Sequence, residues 1–148
     1  MSWTYKGKEL TDDMIPDKSA GFIYLMTHLP TGRKYIGRKL LTSAVTRVKN
    51  KKKIRSRVES DWRDYYSSSP DIAGIIEEEG KEVFSREILL FCPNKATLNY
   101  SEECMLYALG ALESEDYLNR NIRAKVFGRN IIGKDFVKDL RESINNLK

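Results

Sequence analysis

The stretch from Gly21 to Gly37, GFIYLMTHLPTGRKYIG, decides how the rest of the chain is read. Phe22, Ile23, Tyr24, Leu25 and Met26 form an unbroken apolar run near its start. An exposed strand would alternate apolar with polar residues, so this run predicts a strand over Gly21 to Thr27 that is buried on both faces. Pro30-Thr31-Gly32 is a turn signal, and Arg33 to Leu41 supplies the returning strand of a hairpin. Tyr24 and Tyr35 stand eleven residues apart on its two arms. A buried tyrosine needs only a hydrogen bond for its hydroxyl, so packing accounts for either one alone. Packing does not account for Arg38-Lys39 directly after Tyr35-Ile36-Gly37. Cations beside a phenol lower its pKa of about 10 and make it a usable general base.

Past the hairpin the chain turns strongly basic. The 148 residues carry a formal charge of +5, yet Val45 to Arg57 alone holds seven cations and no acid, which leaves the remainder at −2. Arg47, Lys49, Lys51, Lys53, Arg55 and Arg57 fall on odd positions, and Val48, Ile54 and Val58 on even ones. In extended chain a period of two puts the charges on one face. The pattern fits a two-stranded ribbon over residues 45–58, turning near Asn50 to Lys52, with one cationic face. A solvated Lys-rich loop is the competing reading.

The remaining elements follow from caps and periodicity. Residues 1–20 read as an irregular lead-in with one short strand. Ser60 or Asp61 can cap a helix holding Trp62 and Arg63, which Ser67-Ser68-Ser69-Pro70 interrupts. A second helix runs from about Pro70 to Glu79 with Gly80 as its stop, and Val83 to Phe91 reads as a third strand. Lys95 to about Leu112 reads as a long helix with Leu98, Met105, Leu109 and Leu112 inward. The tail, about 135–148, is an amphipathic helix whose Phe136, Val137, Leu140, Ile144 and Leu147 dock on the domain or form a dimer contact.

Length and a 41% hydrophobic content suit one domain, residues 1–148, around one modest core. The first residues lack the apolar region of a signal peptide. Met105 to Leu112 is far short of the roughly 20 residues that span a bilayer, so a soluble, cytoplasmic protein is expected. Cys92, Cys104 and a single histidine make no four-ligand zinc set.

Glu102 is the most informative acid. On a helix its neighbours three, four and seven residues on are Met105, Leu106 and Leu109, so its carboxylate shares the face that must be buried. A buried carboxylate costs several kcal/mol unless it is paired or coordinates a cation. Helix geometry leaves both fates open, along with a place at the wet rim of the stripe.

Phe22-Ile23-Tyr24 followed by Tyr35-Ile36-Gly37, with Glu102 on a later helix and Asn119 in Tyr117-Leu118-Asn119, resembles the signature of the GIY-YIG nucleases over about residues 21–122. With the basic insertion and the segment Glu59 to Tyr66, the likeness is closest to the SegE-like phage endonucleases, a free-standing homing type. That resemblance implies an α+β fold, a small three-stranded antiparallel sheet flanked by helices, carrying the basic β-ribbon as an insertion. It also implies DNA phosphodiester hydrolysis with one divalent metal, Mg2+ or Mn2+, of which Glu102 would be the sole protein ligand. Such a hard cation suits one carboxylate, several waters and a substrate phosphate. Tyr24 or Tyr35 would take the proton from the attacking water while the other orients it. An arginine would neutralise the phosphorane, and Asn119 would support the site.

Three positions depart from the family pattern. Phe22 stands where glycine or another small residue is usual. Arg38 stands where lysine is common, so the assisting cation is either Arg38 or Lys39. The arginine expected about ten residues past Tyr35 falls at Val45, which points to Arg63, with Arg57 and Arg47 as alternatives. The implied partner is double-stranded DNA, bound by a monomer or a homodimer. A two-stranded ribbon fits the major groove, where its cations would neutralise phosphates and touch guanine edges. Specificity would come from the ribbon, the tail or a partner. The competing readings are a nucleic-acid-binding module of the same fold without the chemistry, and an interaction protein using the C-terminal stripe.

Overall fold

The computed structural model describes residues 1–122, 130 and 134–148. Along the chain run β1 (Trp3–Tyr5), β2 (Lys8–Glu9), β3 (Gly21–His28), β4 (Lys34–Leu40), β5 (Thr42–Lys49) and β6 (Lys52–Glu59). They are followed by α1 (Pro70–Glu79), β7 (Phe84–Cys92), α2 (Lys95–Ala108) and α3 (Lys134–Leu147). The apolar run is β3, an inner strand with antiparallel β4 on one side and antiparallel β7 on the other. The sheet is five-stranded, in the order β2-β1-β7-β3-β4, rather than the expected three. The two additions come from the lead-in, where β1 pairs parallel to β7 and β2 pairs with β1. Strands of three and two residues are too short to leave a periodic signal, and a single buried anchor, Trp3, holds them.

Because β3 is inner, its side chains supply two cores. Phe22, Tyr24 and Met26 join Trp3, Trp62, Ile72 and Phe84 in an aromatic core against α1. Ile23 and Leu25 join Ile36, Leu98, Met105 and Leu140 in an aliphatic core against α2 and α3. A register shift opposite Ile23 and Tyr24 marks a bulge in β7, where Leu90 pairs with Ile23 but Ile88 pairs with Tyr24. The extra residue reverses which face later side chains take. Hence Phe84 and Ile88 reach the aromatic core, and so does Phe91.

The expected helix at Trp62 is only a 3-10 turn, Trp62–Asp64. Its carbonyls are claimed by another element, since the buried Arg86 guanidinium donates to Arg63 O at 3.1 Å and Tyr65 O at 2.9 Å. The chain then leaves Tyr65 extended. Helix α2 stops at Ala108, short of the expected Leu112. Gly110 takes φ 59°, with Gly110 N donating to Tyr107 O and Ala111 N to Leu106 O, a glycine-terminated end that turns Leu112 outward. The tail helix packs on the aliphatic core through Leu140, Phe136, Ile144 and Leu147. This is the docked arrangement.

The basic stretch is a ribbon, but its faces differ from the expectation. Asn50 and Lys51 take φ 51° and 61°, the two left-handed residues of a tight hairpin turn. That turn pairs Lys49 with Lys52, Arg47 with Ile54 and Ala44 with Arg57. Odd positions of β5 therefore face even positions of β6. One face carries Arg47, Lys49 and Lys52 beside Val45 and Ile54, and the other carries Lys53, Arg55 and Arg57 beside Ala44 and Val48. The single cationic face does not exist.

Candidate active site

Strand β4 lies at the edge of the sheet, and a late segment covers that edge. Lys34 N donates to Asp116 O at 2.8 Å and Leu118 N to Lys34 O at 2.7 Å. The Asn119 side chain then acts as one more peptide unit. Ile36 N donates to its Oδ1 at 2.9 Å, and its Nδ2 donates to Ile36 O at 2.7 Å. Buried backbone groups between Tyr35 and Gly37 are satisfied this way, which gives Asn119 a positioning task.

Tyr24 stands opposite Gly37, and a Cβ at residue 37 would lie 2.4 Å from its hydroxyl oxygen. Glycine is required there because the phenol crosses directly over the β4 backbone. The Tyr24 and Tyr35 rings sit 6.2 Å apart, with Tyr65 packed edge-on against Tyr24 at 6.0 Å. Burial raises the Tyr24 pKa well above the ordinary phenol value, and the neighbouring Tyr65 and Tyr35 add to it. Burial raises Tyr35 as well, against a lowering by the Ser67 hydroxyl and, least of all, by Arg38. Arg38 thus acts on Tyr35 in the expected direction, but as the smallest cause, and neither phenol falls below its ordinary value. Strand alternation sends Arg38 to the opposite face of the sheet, while the Lys39 ammonium lies 3.9 Å over the Tyr65 ring and pairs with Asp61.

Glu102 reaches the edge of β4 from α2, on the aliphatic side. Arg38 Nη1 donates to both of its carboxylate oxygens at 3.2 Å. Burial raises the Glu102 pKa above the ordinary glutamate value, and Arg38 partly offsets that rise. The pair is not sealed, since about a third of the Arg38 side chain is exposed. Tyr35, Glu102, Asn119, Arg120, Ser68 and Ser69 line a common cleft of about 410 Å³. A phenol from one face of the sheet and a carboxylate from the other meet across its edge.

The other predicted residues lie elsewhere. Arg63 pairs with Asp12 and Glu59, both at 2.9 Å, lies 4.4 Å over the Trp62 ring, and lines a separate hollow beside Trp3 and Arg86. The folding of Trp62 into the aromatic core, rather than onto a helix, carries it there. Arg57 donates to Thr42 and shares a hollow of about 770 Å³ with Arg38, Lys39 and the start of α2. Arg47 is on the opposite ribbon face.

One cleft residue, Arg120, and one neighbour of the phenols, Ser67, escaped the sequence reading. Arg120 follows Asn119 directly, which is the only signal for it, and pairs with Asp71. Ser67 takes φ 88°, a strained backbone for a non-glycine residue, and its hydroxyl bears on both phenols. Its Ser-Ser-Ser-Pro context reads only as a helix breaker.

Among the described residues no group of three or more His, Cys, Asp or Glu could hold a metal. A cation in the cleft would rest on Glu102 as its one protein ligand. The donor set suits that, because the carboxylate faces an open polar cleft and keeps lone pairs beyond those used by Arg38.

The cleft at the edge of β4 thus joins Tyr35 of the Phe-Ile-Tyr and Tyr-Ile-Gly hairpin to the helix-borne Glu102, with Asn119 bracing the strand. Residues 3–122 match the family described as "Putative endonuclease segE, GIY-YIG domain", and the chain belongs to that family. The match begins at residue 3, so it takes in β1 and β2 as well as the core. No curated protein and no solved structure matches the chain. No helix among the described residues is long and apolar enough to cross a membrane.

Proposed function

We propose that this endonuclease-family domain hydrolyses phosphodiester bonds of duplex DNA with a divalent cation, Mg2+ or Mn2+, held by Glu102, in the manner of a phage homing-type nuclease. The observation that carries the reading is the shared cleft of Tyr35 and Glu102 at the edge of β4. Such a cation would supply a Lewis acid for the phosphate and for the departing oxygen. The chain's own residues do the rest. Tyr35, which lines the cleft, hydrogen-bonds the attacking water, and Tyr24 backs Tyr35 from beneath Gly37. Burial keeps both phenols protonated at neutral pH, so Tyr35 orients the water there and gains in basic character as the pH rises. Arg120 lines the cleft and Arg38 pairs with its Glu102, and these two guanidinium groups take the place proposed from sequence for Arg63 in balancing charge on the phosphorane. Asn119 holds the Tyr35-Gly37 backbone in place.

Supercoiled plasmid incubated with the protein tests this. Conversion to nicked or linear molecules is expected with magnesium and not with EDTA, with a rate whose rise with pH continues above the ordinary phenol range, as the raised Tyr35 pKa requires, and is lost in Tyr35→Phe. Cleavage that persists in EDTA would refute the metal-dependent reading.

A further inference from the structure

The ribbon is charged on both faces, and that limits how it can sit on a polyanion. Three cations point each way, Arg47, Lys49 and Lys52 on one face and Lys53, Arg55 and Arg57 on the other. A ribbon that lay flat on one phosphate backbone would need cations on a single face. None of the ion pairs among the described residues uses a cation between Arg47 and Arg57. Lys49 and Lys52 are direct cross-strand partners, a like-charge juxtaposition that destabilises a free hairpin. Every residue of β6 is exposed. The positive charge is thus unneutralised all round.

We propose that the ribbon enters the DNA major groove edgewise and that its two faces neutralise phosphates on opposite strands. This rests on the reading of the domain as a DNA nuclease and adds which contacts fall on which strand. A major groove about 12 Å wide admits a two-stranded ribbon between its phosphate walls. Arg57 lines the hollow shared with Arg38, and Arg38 in turn pairs with Glu102. The Lys53, Arg55 and Arg57 face therefore grips the strand that runs on to the cleft. The Arg47, Lys49 and Lys52 face grips the complementary strand.

The test is salt-dependent binding of a random-sequence duplex by Glu102→Ala protein in EDTA, so that cleavage plays no part. Two triple variants are compared, with glutamine at 47, 49 and 52 or at 53, 55 and 57, each checked for native circular dichroism. Each is expected to reduce the slope of log K against log salt by about 2.7, at about 0.9 per phosphate. Both are also expected to lose discrimination against duplex whose pyrimidines carry bulky 5-substituents that fill the major groove. If one triple variant lowers the slope and the other leaves it unchanged, the ribbon lies on a single strand and the proposal is overturned while the nuclease reading stands. An unmodified ribbon with no salt-dependent duplex binding would overturn both.

Discussion

Two hairpins follow one another in this chain with a single residue, Leu41, between them, and they are held by different physics. In β3–β4 the side chains are the scaffold, with Phe22, Ile23, Met26 and Ile36 wholly buried and Tyr24 nearly so. In β5–β6 the side chains point into solvent, Val48 at 72% exposure, and the backbone ladder with its Asn50-Lys51 turn holds the shape. The first hairpin can fix a phenol against a carboxylate. The second has no packed core of its own to fix a reaction geometry. A cleft at a sheet edge and an exposed cationic ribbon thus stand as separate structures in one small domain.

The widest contrast is in stability. Phe22→Ala should lower the unfolding free energy by about 3–5 kcal/mol, as buried Phe truncations do. Ile54→Ala, the matching apolar truncation on the ribbon, should stay within about 0.5 kcal/mol. Urea unfolding of both variants checks this, and equal losses would break the comparison. Asn119→Ala comes next. It leaves Ile36 N–H and C=O without partners, at about 1–3 kcal/mol for each group, and should slow cleavage while leaving duplex affinity unchanged. Removing ribbon charge should act in reverse. Lys49→Gln relieves the contact with Lys52 and should stabilise the fold by about 0.2–1 kcal/mol while weakening salt-sensitive DNA binding.

The smallest effect is one of pH, because two causes oppose each other at Glu102. Burial raises its pKa and Arg38 lowers it, with burial the larger. A raised folded pKa means that the folded state binds the proton more tightly than the unfolded chain does. The stability it contributes is present below the ordinary glutamate range and is lost as pH rises through the raised value. Wild type should therefore lose stability relative to Glu102→Gln over that window, read as the difference between two urea-unfolding series.

Which of these features the sequence disclosed depends on how local their causes are. The buried β3 was legible because five consecutive apolar residues admit one reading, and α1 because Pro70 and Gly80 bracket it. The ribbon was legible as a ribbon, yet its faces were not. Odd-position cations share a face only within one strand, and a two-residue turn at Asn50-Lys51 reverses the parity of the other. Trp62–Asp64 falls short of a helix because Arg86, more than twenty residues later, takes the carbonyls of Arg63 and Tyr65. The same distance hides the cleft. Helix geometry put Glu102 on a buried face, but only the fold brings Arg38 to it, turns Lys39 toward Asp61, and carries Arg63 away to Asp12.

Glu102 is expected to serve the reaction and not the grip on DNA. The most direct test measures cleavage and equilibrium binding of one labelled duplex by wild type and Glu102→Ala in parallel, with magnesium for the first and EDTA for the second. Cleavage is expected to disappear while the dissociation constant stays within about twofold, a difference under about 0.5 kcal/mol. Cleavage by Glu102→Ala at the wild-type rate, or a loss of affinity that matches the loss of cutting, would contradict it.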